Sequence, residues 1–256
     1  MPTWNPQQYL GFADERTQPC RDLVVRIALK NPARIVDLGC GPGNSTQVLM
    51  ERWPEAKILG LDSSAEMIAK AKQTHPANEW QTGDIATWSA SAPYDLAFSN
   101  AALQWVSGHE ALYPRLLEQV APGGALAVQV PINLDAPAHE RMRDLAASPD
   151  WRGHFPEQVR EWFVHDPASY FDWLAPLSQR IELWTTEYLH VLSGPQAIVE
   201  WYKGTGLRPF LDLLPDPADR ECFLSNYLKL IEIDYPRRPN GQVLFPFRRL
   251  FLIAYR

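Results

Sequence analysis

The sequence predicts an α/β protein with a doubly wound, mostly parallel sheet and a mostly helical cap inserted in its C-terminal half. Three observations carry this. Between residues 34 and 130, short aliphatic runs alternate with amphipathic segments, the pattern of right-handed crossovers between parallel strands. The first run, Ile35-Val-Asp-Leu38, leads into Gly39-Cys-Gly-Pro-Gly43, a tight turn that opens a helix. Beyond Pro131 the alternation gives way to aromatic-rich helical patterns that separate two late strand-like runs.

Residues 1–20 are aromatic and polar, and Leu23, Val24, Ile27 and Ala28 recur at helical spacing, predicting a short helix from Asp22 to Leu29. Ile35, Val36 and Leu38 suit a buried strand. Asn44 or Ser45 is placed to cap the next helix, with Val48, Leu49 and Trp53 on one face and Pro54 as its stop. Lys57–Asp62 reads as the second strand. Ser63 and Glu66 have capping-box spacing for a helix carrying Met67, Ile68 and Ala71. Glu79–Asp84 and Tyr94–Asn100 read as strands three and four, and a helix with Leu112, Leu116, Leu117 and Val120 follows. Ala121-Pro-Gly-Gly124 then turns the chain into a fifth strand, Ala125–Val130.

Pro137–Ala147, Pro156–Phe163 and Pro167–Leu177 read as helices, as do the stretches around Ile198–Tyr202, Phe210–Leu214 and Phe223–Ile233. Arg180–Leu192 and Val243–Tyr255 read as strands. The expected organisation is one domain: a core over 1–131, helical cap segments over 132–178 and 193–241, and C-terminal strands over 179–192 and 243–255.

A formal net charge of −6 offers no basic field, which disfavours nucleic acid and points to a small-molecule ligand. Cys20, Cys40 and Cys222 are scattered, without metal-ligand spacing, so no metal is implied and a reducing compartment is expected. The chain shows no basic-apolar leader and no apolar stretch long enough to span a bilayer, and the expectation is a cytoplasmic protein without a membrane partner. The sequence does not speak to oligomeric state.

Gly39, Gly41 and Gly43 demand a ligand that comes close to backbone. A dinucleotide site needs G-x-G-x-x-G with an acid about 20 residues on. Asp62 supplies the acid, yet the glycines here follow G-x-G-x-G and Asp37 stands just ahead of them. A carboxylate there repels a pyrophosphate and attracts a cationic amine. Asp37, Asp62, Asp84 and Asn100 all fall at strand carboxyl ends, where ligands of such sheets bind.

Val36-Asp-Leu-Gly-Cys-Gly-Pro-Gly43 resembles the first motif of the Rossmann-like family of S-adenosylmethionine-dependent methyltransferases. The resemblance over 34–130 implies a seventh, antiparallel strand and a set of cofactor residues. Asp37, Gly39, Gly41 and Gly43 form the turn, Asp62 with Ser63 holds the ribose hydroxyls, and Met67 packs on the adenine. Asp84 accepts from the adenine amino group beside Ile85, and Asn100 lies near the methionine moiety.

A narrower resemblance, to a branch of that family that esterifies a carboxylate of small tricarboxylates, rests on segments along nearly the whole chain. These are Trp4-Asn-Pro with Tyr9 and Arg16, Ala102-Leu-Gln-Trp105, Trp184–His190, Trp201–Pro209 and Leu244–Phe251. It implies Arg16 among the cofactor residues, Gln104 and Trp105 as positioning groups, and Tyr202, Arg208, Arg248 and Arg249 as substrate residues.

Plainer readings stand beside these. Asp37 can satisfy turn N–H groups. Met67, Trp80, Trp201 and Tyr202 sit at amphipathic spacing that serves a core. The histidines 109, 139, 154, 165 and 190 show no ligand or triad pattern, and Arg237 and Arg238 read as a solvated face. Arg208, Arg248 and Arg249 lie in apolar context, where a guanidinium needs an anionic partner, either a substrate or a structural carboxylate.

A carboxylate nucleophile is already ionised at neutral pH and needs no general base, which fits the absence of a His or Glu beside Asn100. Rival readings are a methyltransferase acting on a malonyl group of a carrier protein, a non-catalytic module that binds S-adenosylmethionine, and a nicotinamide dehydrogenase. The first lacks the expected basic entrance, and the second is at odds with the intact Gln104-Trp105 segment.

Overall fold

The computed structural model describes residues 13–157, 159 and 162–256, with side chains from Thr17 onward. In chain order the elements are α1 (Ala13–Arg26), β1 (Arg34–Leu38), α2 (Asn44–Arg52), β2 (Lys57–Asp62), α3 (Ala65–Thr74), β3 (Glu79–Thr82), β4 (Tyr94–Asn100), α4 (His109–Glu118) and β5 (Val120–Pro131). They continue with α5 (Pro137–Ala147), α6 (Pro167–Leu174), β6 (Arg180–Leu192), α7 (Pro195–Lys203), α8 (Arg208–Leu211), α9 (Pro217–Asp234) and β7 (Val243–Tyr255). Single 3-10 turns lie at Leu103–Trp105 and Ala175–Leu177.

The strands form one seven-stranded sheet in the order β3-β2-β1-β4-β5-β7-β6. Six strands are parallel, and β7 runs antiparallel to β5. Strand order reverses between β1 and β4, so the carboxyl ends of these strands flank a topological switch point. In register, Asp37 stands between Gly60 and Phe98, and Asn100 stands beside Gln129.

Several local expectations are corrected. The first helix begins by Ala13 and runs through Pro19 to Arg26, because burying Cys20, Leu23, Val24 and Ile27 outweighs the backbone hydrogen bond lost at the proline. Neither Asn44 nor Ser45 caps α2: its N-cap is Gly43 at φ 100°, a left-handed conformation natural to glycine. The cap of α3 is Ser64, whose Oγ accepts from Met67 N, while Ser63 is exposed. β3 stops at Thr82 because Gly83 N donates to Asp62 O and Asp84 folds its carboxylate back onto Ala86 N.

β5 starts at Val120, and its pairing with β4 shifts between Tyr94 and Leu96, so Ala121–Gly124 form an irregularity inside the strand. The described residues between Pro156 and Phe163 form no helix. There the Phe163 N–H is spent on the Gln104 carbonyl at 2.7 Å, and the Trp162 ring lies 4.6 Å from His139.

The chain divides into two compact units. One, the sheet unit, holds Ala13–Pro131, Phe163–Thr186 and Arg249–Arg256. Its core is built from Leu23 and Val24 of α1, the fully buried residues of β1, β4 and β5, and Leu116 and Leu117 of α4. The other, the helical unit, includes Ile132–Trp162 and Glu187–Arg248. Its core is aromatic: Trp201 meets His190 and Phe247, Tyr202 stands edge-on to His139, and Trp151 stands edge-on to Phe223. Tyr227 donates to Ala138 O, and Arg141 pairs with Asp234, fastening α5 to α9. Among the described residues no helix is long and apolar enough to cross a membrane.

Candidate active site

The glycine turn is tied to the end of β2 from both sides. Gly39 N and Cys40 N donate to Leu61 O at 2.7 and 3.1 Å, and Gly41 N donates to Asp62 Oδ2 at 2.9 Å. Gly39 has φ 76°, and a Cβ there would overlap that of Ala102, so only glycine lets the turn meet the segment after β4. Asp62 Oδ1 accepts from Ser64 N at 2.8 Å. Each Asp62 oxygen thus takes one backbone N–H and keeps acceptor capacity for a second donor. Burial pushes this carboxyl up, and the Ser64 and Gly41 N–H groups oppose the shift.

Asp37 is fully buried, and its Oδ2 accepts from the Ser45 and Thr46 hydroxyls at 2.7 and 2.6 Å. Ser45, one of the two residues read as a helix cap, therefore serves the carboxylate of β1 together with Thr46. Asp37 Oδ1 has no hydrogen-bond partner among the described residues. Burial pushes its pKa up to about 6, against the pull of the two hydroxyls.

A carboxyl whose pKa rises on folding takes up a proton as the chain folds. The stability this contributes is fully present below the usual value of 3.8 and is lost as pH rises through about 6. Parent minus Asp37→Asn unfolding free energy should therefore fall by on the order of 3 kcal/mol between pH 4 and 7. Denaturant melts across that range measure it, and a difference independent of pH contradicts the assignment.

At the ends of β4 and β5 a second polar group forms. Asn100 Oδ1 and Gln104 Oε1 are buried without hydrogen-bond partners among the described residues, while Gln104 Nε2 donates to Ala101 O. Ala101 between them holds φ 54°, a left-handed conformation costing a non-glycine residue on the order of 1–2 kcal/mol. Beside Asn100, Gln129 is fully buried, and its Oε1 accepts from Nη1 of Arg249 at 3.3 Å; Arg249 itself is 4% exposed. His109 Nε2 lies 3.0 Å from Leu103 O and Nδ1 lies 2.8 Å from the Tyr170 hydroxyl, which fixes the turn carrying Gln104 and the half-buried Trp105.

The structure thus brings Asp37, the three glycines, Asp62, Asn100, Gln104 and Arg249 to the carboxyl edge of the sheet unit. Met67 is buried in α3, and Ile85 Cδ1 lies 3.6 Å from the place a Gly39 Cβ would take. Asp84 is exposed. Trp4, Tyr9 and the Arg16 side chain lie outside the described residues.

Tyr202, Arg208 and Arg248 belong to the helical unit. Tyr202 is fully buried, its ring 5.0 Å from that of His139. The Arg208 side chain is 12% exposed with Nε 3.9 Å from Asp212 Oδ2, and burial lowers its pKa. Arg248 departs from the expectation of an apolar setting: its side chain is 43% exposed and paired with Asp135, because neighbours on a strand face opposite sides. It borders an open cleft of about 430 Å³ in the helical unit, whose walls carry Asp135, Glu187, Asp234 and Arg238 and none of the cofactor candidates.

Residues 35–124 match the model of a methyltransferase domain. A trans-aconitate 2-methyltransferase from Azoarcus sp. strain BH72 is 47% identical over 256 residues, covering 100% of both chains. The chain belongs to the trans-aconitate 2-methyltransferase family. A second family member, from Rhodopseudomonas palustris strain BisB18, is 46% identical over 99% of each chain. Among solved structures, the YcgJ protein of Bacillus subtilis covers 93% of this chain with 99% of its own at a TM-score of 0.59 and 15% identity, a likeness of fold.

For this family member, sequence reasoning missed Gln129, Ser45 and Thr46. A signal for the first was present: Gln129 is the one polar side chain in Ala-Leu-Ala-Val-Gln-Val, a run expected to be buried on both faces. No spacing rule marks the two hydroxyls, which reach Asp37 only once the turn has folded α2 back on β1.

Proposed function

We propose that this methyltransferase esterifies a carboxylate of trans-aconitate or a similar small tricarboxylate. The observation that carries the reading is a buried guanidinium, Arg249, at the carboxyl edge of a sheet whose glycine turn and Asp62 suit S-adenosylmethionine. The fit rests on a turn with glycine at three alternate positions, on Asp62 oxygens that keep acceptor capacity for ribose hydroxyls, and on the buried acceptors of Asn100 and Gln104. When bound, S-adenosylmethionine supplies a methyl group on a positively charged sulfur, open to in-line displacement.

The chain's own residues then have three tasks. Asp62 and the glycine turn hold the nucleoside, while Asp37, Asn100 and Gln104 offer negative and acceptor atoms suited to the cationic methionine end. Arg249 holds a carboxylate of the substrate, since a guanidinium donates in a planar fork that matches carboxylate oxygens. Arg208, half-buried in the helical unit, is a further candidate for a substrate carboxylate, tested by itself. No residue is needed to remove a proton, because carboxyl groups titrate near 4 and the nucleophile arrives ionised. The substrate is a small polyanion, with no nucleic acid or membrane partner. Cys20, Cys40 and Cys222 carry free thiols, which suits a reducing cytoplasm.

Two measurements test the reading together. Isothermal titration should show S-adenosylhomocysteine binding and no response to NAD. Labelled methyl transfer to a panel of di- and tricarboxylates should favour trans-aconitate. Transfer confined to amines, or NAD binding with no response to S-adenosylhomocysteine, overturns it.

A further inference from the structure

We propose that Gln129 is a substrate-binding and specificity residue, its Nε2–H donating to a carboxylate oxygen of the acceptor beside Arg249. This rests on the carboxylate reading above and extends it to a residue outside the motifs.

A guanidinium only donates, so the Gln129 atom 3.3 Å from Arg249 Nη1 has to be the amide oxygen, and the nitrogen must point elsewhere. That nitrogen has no hydrogen-bond partner among the described residues, although the side chain is fully buried. Burying a donor without a partner is unfavourable, and an apolar side chain of similar size would suit the site better unless a ligand takes the hydrogen.

Position says where that ligand lies. Gln129 is paired in register with Asn100, the last residue of β4, and the next amide, Ala101 N, donates to Gln129 O. The side chain therefore sits at the carboxyl edge of the sheet, where ligands of this fold bind. Its neighbours there are of two kinds. Asn100 Oδ1 and Gln104 Oε1 are acceptors, which repel a carboxylate, whereas Gln129 Nε2 is a donor and Arg249 a cation. Donor and cation on adjacent strands form a half-site for an anionic oxygen.

The competing role is a brace: Gln129 serving only to hold Arg249 through Oε1. Gln129→Glu separates the two. It keeps an oxygen toward Arg249, and a brace is retained or strengthened, while the free donor becomes a negatively charged acceptor. The full-length variant should melt close to the parent and bind S-adenosylhomocysteine within about twofold of it, yet its KM for trans-aconitate should rise by tenfold or more, with kcat changed far less. Gln129→Met, which removes the donor and the Oε1 brace together without adding charge, should raise KM by about fivefold, and a parental KM there overturns the assignment even if the glutamate variant does not fold. Titration of trans-aconitate into the S-adenosylhomocysteine complex should show the same loss without turnover.

A parental KM in either folded variant overturns the assignment and leaves the carboxylate reading intact. A parent that methylates no carboxylic acid overturns both, and this appears in the parent's own assay.

Discussion

Asp62→Ala should weaken S-adenosylhomocysteine binding by about a hundredfold or more. Two charge-assisted hydrogen bonds to ribose hydroxyls at about 1.5 kcal/mol each already amount to that factor. The structure adds a second route to the same loss, because Asp62 also receives Gly41 N and Ser64 N, and truncation releases the turn from the end of β2. Asp62→Asn retains one acceptor oxygen and should fall between the two. Isothermal titration with a circular-dichroism check of folding measures this. An unchanged dissociation constant in a folded alanine variant removes Asp62 from the cofactor site.

Arg249→Lys should lower kcat/KM for trans-aconitate by about a hundredfold, although the charge is conserved. Lysine cannot present the planar fork, and its compact ammonium is more costly to bury at a position 4% exposed. Cofactor affinity should stay at the parental level, which separates a substrate contact from a collapse of the sheet edge. Arg208→Lys and Arg208→Ala put the same question to the helical unit: a substrate role lowers kcat/KM in both, more in the alanine variant. Parental kinetics in both Arg208 variants would make it a structural residue that pairs with Asp212.

The fold was legible because its signals are local and repeated. The strand-like runs matched β2, β4, β6 and β7 to the residue, and the aspartates near the ends of β1 and β2 marked the edge where the site is built. Legibility failed where tertiary contacts overruled local preference. Pro19 lies inside α1 because the apolar face around it is buried, and the described residues just before Phe163 form no helix, the Phe163 amide being spent on Gln104.

In the site, residue types were readable and their partners were not. The Asp62 bonds to Gly41 and Ser64 depend on two turns meeting. Arg248 and Arg249, adjacent and alike in sequence, were separated only by the strand pleat, which buries one and pairs the other with Asp135. Gln129 gains its meaning from the register that sets it beside Asn100.

The central claim, that the acceptor atom is a carboxylate oxygen held by cationic side chains, is tested most directly by the bond formed. The enzyme is incubated with S-adenosylmethionine labelled in the methyl group and with trans-aconitate, and the labelled product is treated with alkali. A methyl ester hydrolyses, so the account predicts that the label is released as volatile methanol in proportion to turnover. Label that transfers to trans-aconitate and stays non-volatile in alkali, or no transfer by a preparation that binds S-adenosylhomocysteine, would contradict it.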